Sequence, residues 1–276
     1  MSLLKSLSQN KYVGKLVGGF VSSKVNKEAE TISTHFERFL EAKIALTKEE
    51  EEEAFRIRHS VYCEELKFEA QRENKQENDE YDEYSLFGLI KHKPTDTYTG
   101  CVRIVAPRSE NQLLPIERYC AFAYKNSEIK PENFRRDQIS EISRLAVLSQ
   151  FRRRKEDQHE GAATGVINQH TYSTEELRCF PFISVGLYLT AASIAIDNGC
   201  DHVFVMMEPR LARSMALIGI KFTQLGEPVE YHGLRAPYYI NGKIFLENLS
   251  PGFKSLHRAI DKSIQPQLRR LAERSR

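Results

Sequence analysis

The chain has 276 residues, of which 41% are hydrophobic and 28% charged, and its 40 basic residues nearly balance its 38 acidic ones. This length can hold one large α/β domain with appended helices, and the near-neutral charge excludes the global basic field that is typical of nucleic-acid binding. Because no apolar run could span a membrane and no signal-peptide core begins the sequence, we expect a cytoplasmic protein.

The five cysteines are odd in number, widely spread and never arranged as a CxxC pair. This pattern favours buried, reduced thiols over a disulfide framework or a zinc site. We expect no metal and no bound cofactor. A nucleophilic cysteine is the alternative, although none has an obvious basic pocket with a partner histidine.

Residues 1–46 are predicted to form a helical, weakly basic and amphipathic N-terminal extension. Thr47 and Glu50 then make a capping box, and the helix that follows places Arg58 and Tyr62 one turn apart on one face. An acidic polar loop, a hairpin with strands at 84–91 and 100–105, and an irregular stretch from 107 to 137 are expected next.

The segment 141–147 is predicted to be a buried strand that carries a carboxylate, a hydroxyl and a guanidinium, on Glu141, Ser143 and Arg144. Charged groups are rarely buried unless they are paired or have a chemical role. These three residues are therefore our candidate catalytic residues.

The polar stretch from residue 151 to 177 is expected to be a mobile surface loop. A buried helix at 182–198, a strand at 202–207, a short helix at 209–218 and a further strand pair should follow. The pattern predicts an α/β sandwich around one sheet, ending in a basic helix at 250–276. That helix suits an acidic partner or lipid headgroups, and equally a packed helix with a solvated basic face.

The motifs Arg58-x-x-x-Tyr62, Phe68, Asp79-x-x-Asp82, Gly100-x-x-Arg103 and Glu141-x-Ser143-Arg144 resemble those of the acyl-homoserine lactone synthases, an acyltransferase branch of the GNAT superfamily. Segments 180–182, 186–188, 207–213 and 231–238 are similar to the acyltransferases of bacterial exosortase (PEP-CTERM) systems and to N-acyl amino acid synthases. The resemblance implies a GNAT-like α/β domain at 47–249, with a central mixed twisted sheet flanked by helices.

The same resemblance implies a substrate-binding set, in which the charged members form a network that pins the acidic loop over the acceptor pocket. The alternative is that Asp79 and Asp82 are solvated loop acids. The lactone synthases usually have phenylalanine and tryptophan at the positions of the two aromatic members, so this chain departs from their S-adenosylmethionine pocket. The set comprises Arg58, Tyr62, Phe68, Asp79, Asp82 and Arg103.

The segment after Val147 resembles the GNAT strand that leads into the coenzyme A pyrophosphate loop, but it lacks the glycines of that loop. An acyl carrier protein is therefore the expected donor partner, with acyl-CoA as the alternative co-substrate. The expected docking patch for the acidic carrier protein comprises Arg152, Arg153, Arg154 and Lys155.

Acyl transfer to an amine requires a base, and Glu141 is the first candidate, acting directly or through a water. The alternative is a structural ion pair with Arg144 or Arg103. A bulge of the kind common in this GNAT strand would change the alternation of its side chains and expose a backbone N–H. His232 is a secondary base candidate, and the leaving thiolate is protonated by Tyr188, Tyr238 or a water.

The sequence therefore predicts an N-acyltransferase that moves a fatty acyl group from a carrier-protein thioester to the amine of a small molecule such as an amino acid. Helix 182–196 with Met206 and Met207 lines an acyl tunnel or is ordinary core. The alternatives are a lactone synthase that uses S-adenosylmethionine and a non-catalytic acyl- or carrier-binding module. Peripheral contact with the inner membrane through the basic termini is left open.

Overall fold

The computed structural model describes residues 33–152 and 182–274. In these ranges, one mixed sheet forms the centre of the molecule, and the strands follow the order β1-β2-β3-β4-β5-β8-β6, with β7 paired to β8. The strands are β1 (Leu40–Ile44), β2 (Ser85–His92), β3 (Thr97–Val105), β4 (Ile139–Val147), β5 (His202–Met207), β6 (Thr223–Gln224), β7 (Val229–Glu230) and β8 (Leu234–Asn241).

Helices cover both faces of this sheet, as expected for the α/β class. The buried side chains of α3 and α6 pack on one face, with Ile90, Val102 and Ile104. Those of α1 and α2 pack on the other face. Residues 33–39 are helical, and the α-helices that follow them in the chain are α1 (Lys48–Arg58), α2 (Pro115–Tyr124), α3 (Ile183–Asp197), α4 (Pro209–Leu217), α5 (Gly242–Asn248) and α6 (Pro251–Arg274).

Most of the predicted elements are confirmed. The capping box of Thr47 and Glu50 begins α1, and Gly199 (φ +79°) and Gly219 (φ +96°) follow α3 and α4 in the left-handed conformation that glycine adopts without strain. The helix after residue 58 continues as a π-helix over His59–Glu65. Residues 153–181, which include most of the predicted mobile loop, lie outside the described residues.

The prediction of an irregular stretch from 107 to 137 is wrong, because α2 lies within it. Pro115 occupies the first turn, and the Glu117 carboxylate accepts a hydrogen bond from the Leu114 N–H at 2.6 Å. Cys120 has non-helical dihedral angles (φ −131°, ψ 15°) and kinks the helix. This kink interrupts the regular 3.6-residue period by which a helix is recognised in a sequence.

Both predicted terminal extensions contribute to the central fold, although residues 1–32 lie outside the described residues. Because β1 is a strand of the central sheet, the extension predicted for residues 1–46 includes part of that sheet. The C-terminal helix α6 packs on the same domain, where the side-chain amide of Gln267 accepts from the Ile44 N–H at 2.9 Å and donates to the Ala42 carbonyl at 3.1 Å. These bonds satisfy backbone groups of an edge strand. One face of α6 is buried, as a packed helix requires, and it comprises Phe253, Leu256, Ile260, Ile264 and Leu268.

The pairing of β4 with β5 decides where the site lies. These two parallel strands pair only through Ile139–Glu141 and His202–Phe204, although β4 continues to Val147 and β5 to Met207. The sheet is therefore split beyond Glu141. None of the helices in the described part of the chain is long and apolar enough to cross a membrane.

Candidate active site

A cleft of about 560 Å³ occupies the split between β4 and β5. Residues 141–145 of β4 and 205–207 of β5 form its sides. Tyr188 of α3 lines it from one face of the sheet, and Tyr62 and His232 line it from the other. A ligand in this cleft can therefore contact groups on both faces of the sheet.

Strand β4 contains a bulge, the alternative to strict alternation of its side chains. Cys101 pairs with Ala146 and Arg103 with Ser143, so that Arg144 and Leu145 together oppose one residue of β3. Arg144 has a φ of 51°, in the left-handed region that a residue with a side chain rarely adopts. A bulge takes backbone groups out of the strand ladder and redirects side chains. The bulged residues Arg144 and Leu145 both line the cleft, so this redirected backbone faces a bound ligand.

Side chains of the surrounding segments hold this bulge in place. The Tyr62 hydroxyl donates to the Leu145 carbonyl at 2.7 Å, and the Arg144 guanidinium lies 5.6 Å from the centre of the Tyr62 ring. Arg144 also donates to Glu69 at 3.1 Å, and to Glu77 and Asp79 at 3.4 Å. Arg144 therefore positions the loop and the bulge around the cleft.

Glu141 lies at the point where β4 and β5 separate, and its side chain is only 3% exposed although it lines the cleft. Its Oε2 accepts a hydrogen bond from the Ile116 N–H of α2 at 2.7 Å. None of the ion pairs among the described residues includes Glu141, so the expected alternative of a pair with Arg144 or Arg103 is wrong. Burial raises the pKa of Glu141 to about 7, against the lowering effect of the Ile116 N–H and the two arginines.

A buried charge network lies behind the cleft. Arg58, which is fully buried, donates to Glu77 at 2.5 Å and to Asp82 at 2.7 Å. Although burial alone would raise the pKa of the Glu77 and Asp82 carboxyls, the guanidinium of Arg58 and its neighbouring arginines hold both pKa values below their usual range. Each of these carboxylates therefore stays ionised and balances buried arginine charge.

Arg103 connects this network to the cleft. Its guanidinium donates to Asp79 at 2.5 Å and to Asp82 at 2.9 Å, and its Nε donates to the Ser143 hydroxyl at 3.0 Å. Asp79 also accepts from the Tyr81 N–H, and Asp82 accepts from the Asp79 N–H. The expected network is confirmed, and the alternative of solvated loop acids is wrong.

The predicted substrate-binding residues divide into two groups. Tyr62, Phe68 and Arg103 line the cleft, whereas Arg58, Asp79 and Asp82 do not. The prediction that the second group contacts substrate is corrected, because these charged groups are bound to one another behind the cleft wall. The candidate catalytic residues Glu141, Ser143 and Arg144 all line the cleft.

The prediction for Arg152 is wrong. Its side chain is buried and forms an ion pair with Glu65, so it is not a surface residue that could dock a carrier protein. Arg153, Arg154 and Lys155 lie outside the described residues.

Aromatic side chains from the β7–β8 hairpin form one wall of the cleft. The His232 ring lies 5.5 Å from the Phe68 ring and 5.0 Å from the Tyr231 ring, and burial lowers the His232 pKa. Of the two tyrosines named as thiolate acids, Tyr188 lines the cleft. Tyr238 donates to Gln224 at 3.3 Å, away from the cleft lining.

A narrow apolar pocket of about 30 Å³ lies next to the cleft on the α3 face, and Ile142 and Tyr188 line both. Its other walls include Ala192 and Ala195 of α3 and Met215 of α4. Among the residues that the structure describes, no group of three histidines, cysteines or acids is arranged to hold a metal ion. Cys63, Cys101, Cys120 and Cys200 are buried and free.

Two acidic residues of the site were not found from the sequence. Glu69 and Glu77 both bind Arg144, and Glu77 is 1% exposed. They belong to a polar segment with many other acids, and nothing in their spacing separates them from solvated neighbours. Only the packing of this segment against β4 identifies them.

Comparison with known proteins shows one family match and a shared fold. Residues 57–159 match the family model described as an acetyltransferase (GNAT) domain, and this match begins at the end of α1 and includes the charge network and β4. None of the curated proteins matches the sequence significantly.

Several solved structures share the fold at low sequence identity. A CoA-dependent acyl-homoserine lactone synthase, BjaI, in complex with MTA, has a TM-score of 0.54 and 18% identity over 83% of this chain and 90% of its own. FeeM, an N-acyl amino acid synthase from uncultured soil microbes, has a TM-score of 0.51 and 14% identity over 78% and 97%. TofI, in a ternary complex with an inhibitor and MTA, has a TM-score of 0.51 and 15% identity over 76% and 98%.

Proposed function

We propose that this protein is an N-acyltransferase that moves a fatty acyl group from a thioester to the primary amine of a small molecule. The observation that carries the proposal is Glu141, a buried carboxylate with a pKa of about 7 in a cleft that residues from both faces of the sheet line. A base with this pKa can accept a proton from an attacking amine near neutral pH. The GNAT match over residues 57–159 supports this chemistry.

In the proposed reaction, the amine nitrogen attacks the thioester carbon from the face that carries Glu141. Glu141 accepts the proton that the nitrogen loses, directly or through one water. The carbon–sulfur bond then breaks, and Tyr188 is the proposed donor of a proton to the departing sulfur. Burial raises the pKa of Tyr188, so its phenol carries its proton throughout the neutral range.

The β4 bulge is proposed to bind the thioester oxygen as negative charge develops on it. Backbone N–H groups released from a strand ladder are suitable donors for such an oxygen. The ion pairs of Arg144 and the hydrogen bond of Tyr62 hold this backbone in place before substrate arrives. Arg144 is therefore proposed as a positioning residue, as is Ser143 through its bond to Arg103.

The fatty acyl chain is proposed to enter the apolar pocket on the α3 face. This pocket meets the cleft at Ile142 and Tyr188, so a chain that continues from a thioester in the cleft reaches apolar side chains at once. Burial of each methylene there stabilises the complex by about 0.8 kcal/mol. An acyl carrier protein remains our preferred donor, because no glycine occurs between residues 148 and 160.

Purified protein, acyl carrier protein thioesters, acyl-CoA thioesters and a pool of primary amines provide the test. We expect free thiol to appear together with an N-acyl product, faster with the carrier-protein thioester. Glu141→Gln should reduce the rate by about 10²- to 10⁴-fold, as expected for loss of a general base. Glu208→Gln is the matched control, because this carboxylate lines the same cleft but is more exposed and pairs with Arg210.

Three results would count against the proposal. Release of methylthioadenosine from S-adenosylmethionine would support a lactone synthase instead. Tight binding of acylated carrier protein without turnover, unchanged by Glu141→Gln, would support a non-catalytic module. Equal losses in Glu141→Gln and Glu208→Gln would remove Glu141 from its proposed role.

A further inference from the structure

The cleft contains an arginine that the acyl-transfer chemistry leaves without a role. Arg235 lies in β8, next to the β7–β8 hairpin, and lines the cleft. Its Nε is buried and has no hydrogen-bond partner. No carboxylate forms an ion pair with Arg235 anywhere in the described part of the chain.

This situation contrasts with that of the other arginines of the site. Arg144 binds Glu69, Glu77 and Asp79, and Arg103 binds Asp79 and Asp82. At the rim, Arg210 pairs with Glu208 at 3.4 Å. A partly buried guanidinium without an anion is unfavourable, because desolvation of its charge is not offset by a partner. Arg235 is therefore suited to bind an anion that enters from solution.

Strand register places Arg235 and Glu141 on the same face of the sheet. Glu141 pairs with Phe204 of β5, and Phe204 pairs with Tyr239 of β8. Paired residues share a face, and side chains alternate along a strand, so Tyr239, Pro237 and Arg235 lie on the face that carries Glu141. The Cα atoms of Glu141 and Arg235 are therefore separated by about 10 Å across the strands and about 13 Å along them. One small molecule between two long side chains can bridge this separation.

We propose that Arg235 binds the carboxylate of the acceptor, so that the acceptor is an α-amino acid or a similarly compact amino carboxylate. This inference rests on the proposed acyltransferase function and specifies its acceptor class. An acceptor held at one end by Arg235 directs its amine toward Glu141. Bidentate pairing of a guanidinium with a carboxylate fixes orientation as well as position.

The neighbours of Arg235 support this assignment. Its positive charge acts on the pKa values of Tyr62, Tyr188 and His232, which all line the cleft. The Phe68 and His232 rings, 5.5 Å apart, offer an apolar wall to the side chain of an amino acid. Arg235 could instead bind the phosphate of the donor's pantetheine arm. That arm holds its phosphate many bonds from the thioester, whereas the carboxylate of an α-amino acid is adjacent to its amine carbon.

The test compares each amino acid that the wild type acylates with its primary amide. The amide keeps the amine and the side chain but lacks the negative charge. Because its amine is less basic than that of the acid, a larger fraction of it is unprotonated at the same pH, so a lower rate with the amide is not due to a shortage of free amine. We expect wild-type kcat/KM to be about 10- to 100-fold higher for the acid, the range of a charge-assisted hydrogen bond. Arg235→Gln should reduce kcat/KM for the acid to the level of the amide. For the amide, kcat/KM of this variant should stay within about threefold of the wild-type value.

Arg235→Lys should restore part of the preference for the acid, since it keeps the charge but not the bidentate geometry. Arg210→Gln is the matched control and should keep the wild-type preference. If Arg235→Gln does not fold, as judged by thermal unfolding, the wild-type ratio of acid to amide and the Arg235→Lys variant still decide the question.

The outcomes separate this inference from the proposed function. If the wild type acylates acids and amides equally well, the carboxylate site is overturned and the acyltransferase stands. If Arg235→Gln raises KM for the thioester donor and leaves the acid preference intact, Arg235 belongs to a donor phosphate site and the inference is wrong. If no amine of either kind is acylated, the proposed function itself fails.

Discussion

The Ile116 N–H at the start of α2 donates to the Glu141 carboxylate at 2.7 Å, and this is the hydrogen bond that the Glu141 side chain makes among the described residues. A helix N-terminus stabilises a carboxylate only in part, and here burial outweighs it. The result is a carboxyl group held near neutrality without a salt bridge. Such a group can exchange protons with an amine, whereas an ion-paired carboxylate would be a weaker base.

The pH dependence of activity follows from this environment. Because the base acts only when it is deprotonated, kcat/KM calculated on the concentration of unprotonated amine should rise with pH through about 7, the pKa of Glu141, and fall by tenfold per unit below it. The measurement is initial rate from pH 5 to 9 with saturating thioester. A profile that is flat between pH 5 and 7 would contradict the assignment of Glu141 as the base.

Folding stability should show the opposite trend. The pKa of Glu141 is raised from 4.5 to about 7 in the folded state, so the folded protein holds this proton where the unfolded chain releases it. Stability is therefore lost as pH rises from 4.5 to 7, by up to about 3 kcal/mol. Urea unfolding at pH 5 and pH 8 should show this loss in the wild type and a smaller one in Glu141→Gln, which cannot ionise.

Glu77 should contribute strongly to stability. Glu77→Ala removes one carboxylate partner of the buried Arg58 and one of the three carboxylate partners of Arg144. We expect the free energy of unfolding to fall by about 3–5 kcal/mol. Glu53→Ala is the control, because Glu53 also pairs with an arginine at 2.5 Å but on an exposed helix face. The free energy of unfolding should fall by less than about 1 kcal/mol in Glu53→Ala. Similar losses in both variants, measured by denaturant unfolding, would show that burial does not decide the effect.

The Tyr62 hydroxyl should matter for catalysis through the bulge. Tyr62→Phe removes the bond to the Leu145 carbonyl, and we expect a loss of about 1 kcal/mol in stability. The less restrained bulge should lower kcat by about tenfold, with a smaller change in KM. Tyr84→Phe removes a comparable bond to the Leu113 carbonyl at an exposed site and should leave kcat unchanged. An unchanged kcat in Tyr62→Phe would argue against a positioned bulge.

The apolar pocket should limit acyl chain length. Ala192→Ile adds carbon atoms to a pocket of about 30 Å³, so the longest acyl donors that the wild type uses should lose about fourfold in kcat/KM per excluded methylene. Shorter donors should be unaffected. Ala272→Ile, on the exposed side of α6, is the control. A uniform loss across all chain lengths would indicate damage to the fold rather than a shortened pocket.

The sequence determined the order of the elements and most of the chemistry-bearing residues. Strand alternation, the capping box at Thr47 and the glycines after α3 and α4 act over a few residues, so their effects are visible in a linear pattern. The acid, hydroxyl and guanidinium of β4 stood out because a buried strand rarely carries such groups. For α2, the kink at Cys120 removed the period on which the same reasoning depends.

Tertiary structure alone decided which of these residues share the cleft, which are buried and which are ion-paired. The distances in sequence are large, since Glu77 binds Arg58 across 19 positions and Arg144 across 67. Burial of Glu141 by α2, exclusion of Arg58 from the cleft, pairing of Arg152 with Glu65 and the isolation of Arg235 depend on the packing of distant segments. Charge and hydrogen-bonding capacity are properties of a residue, but desolvation and the choice of partner are properties of the packed chain.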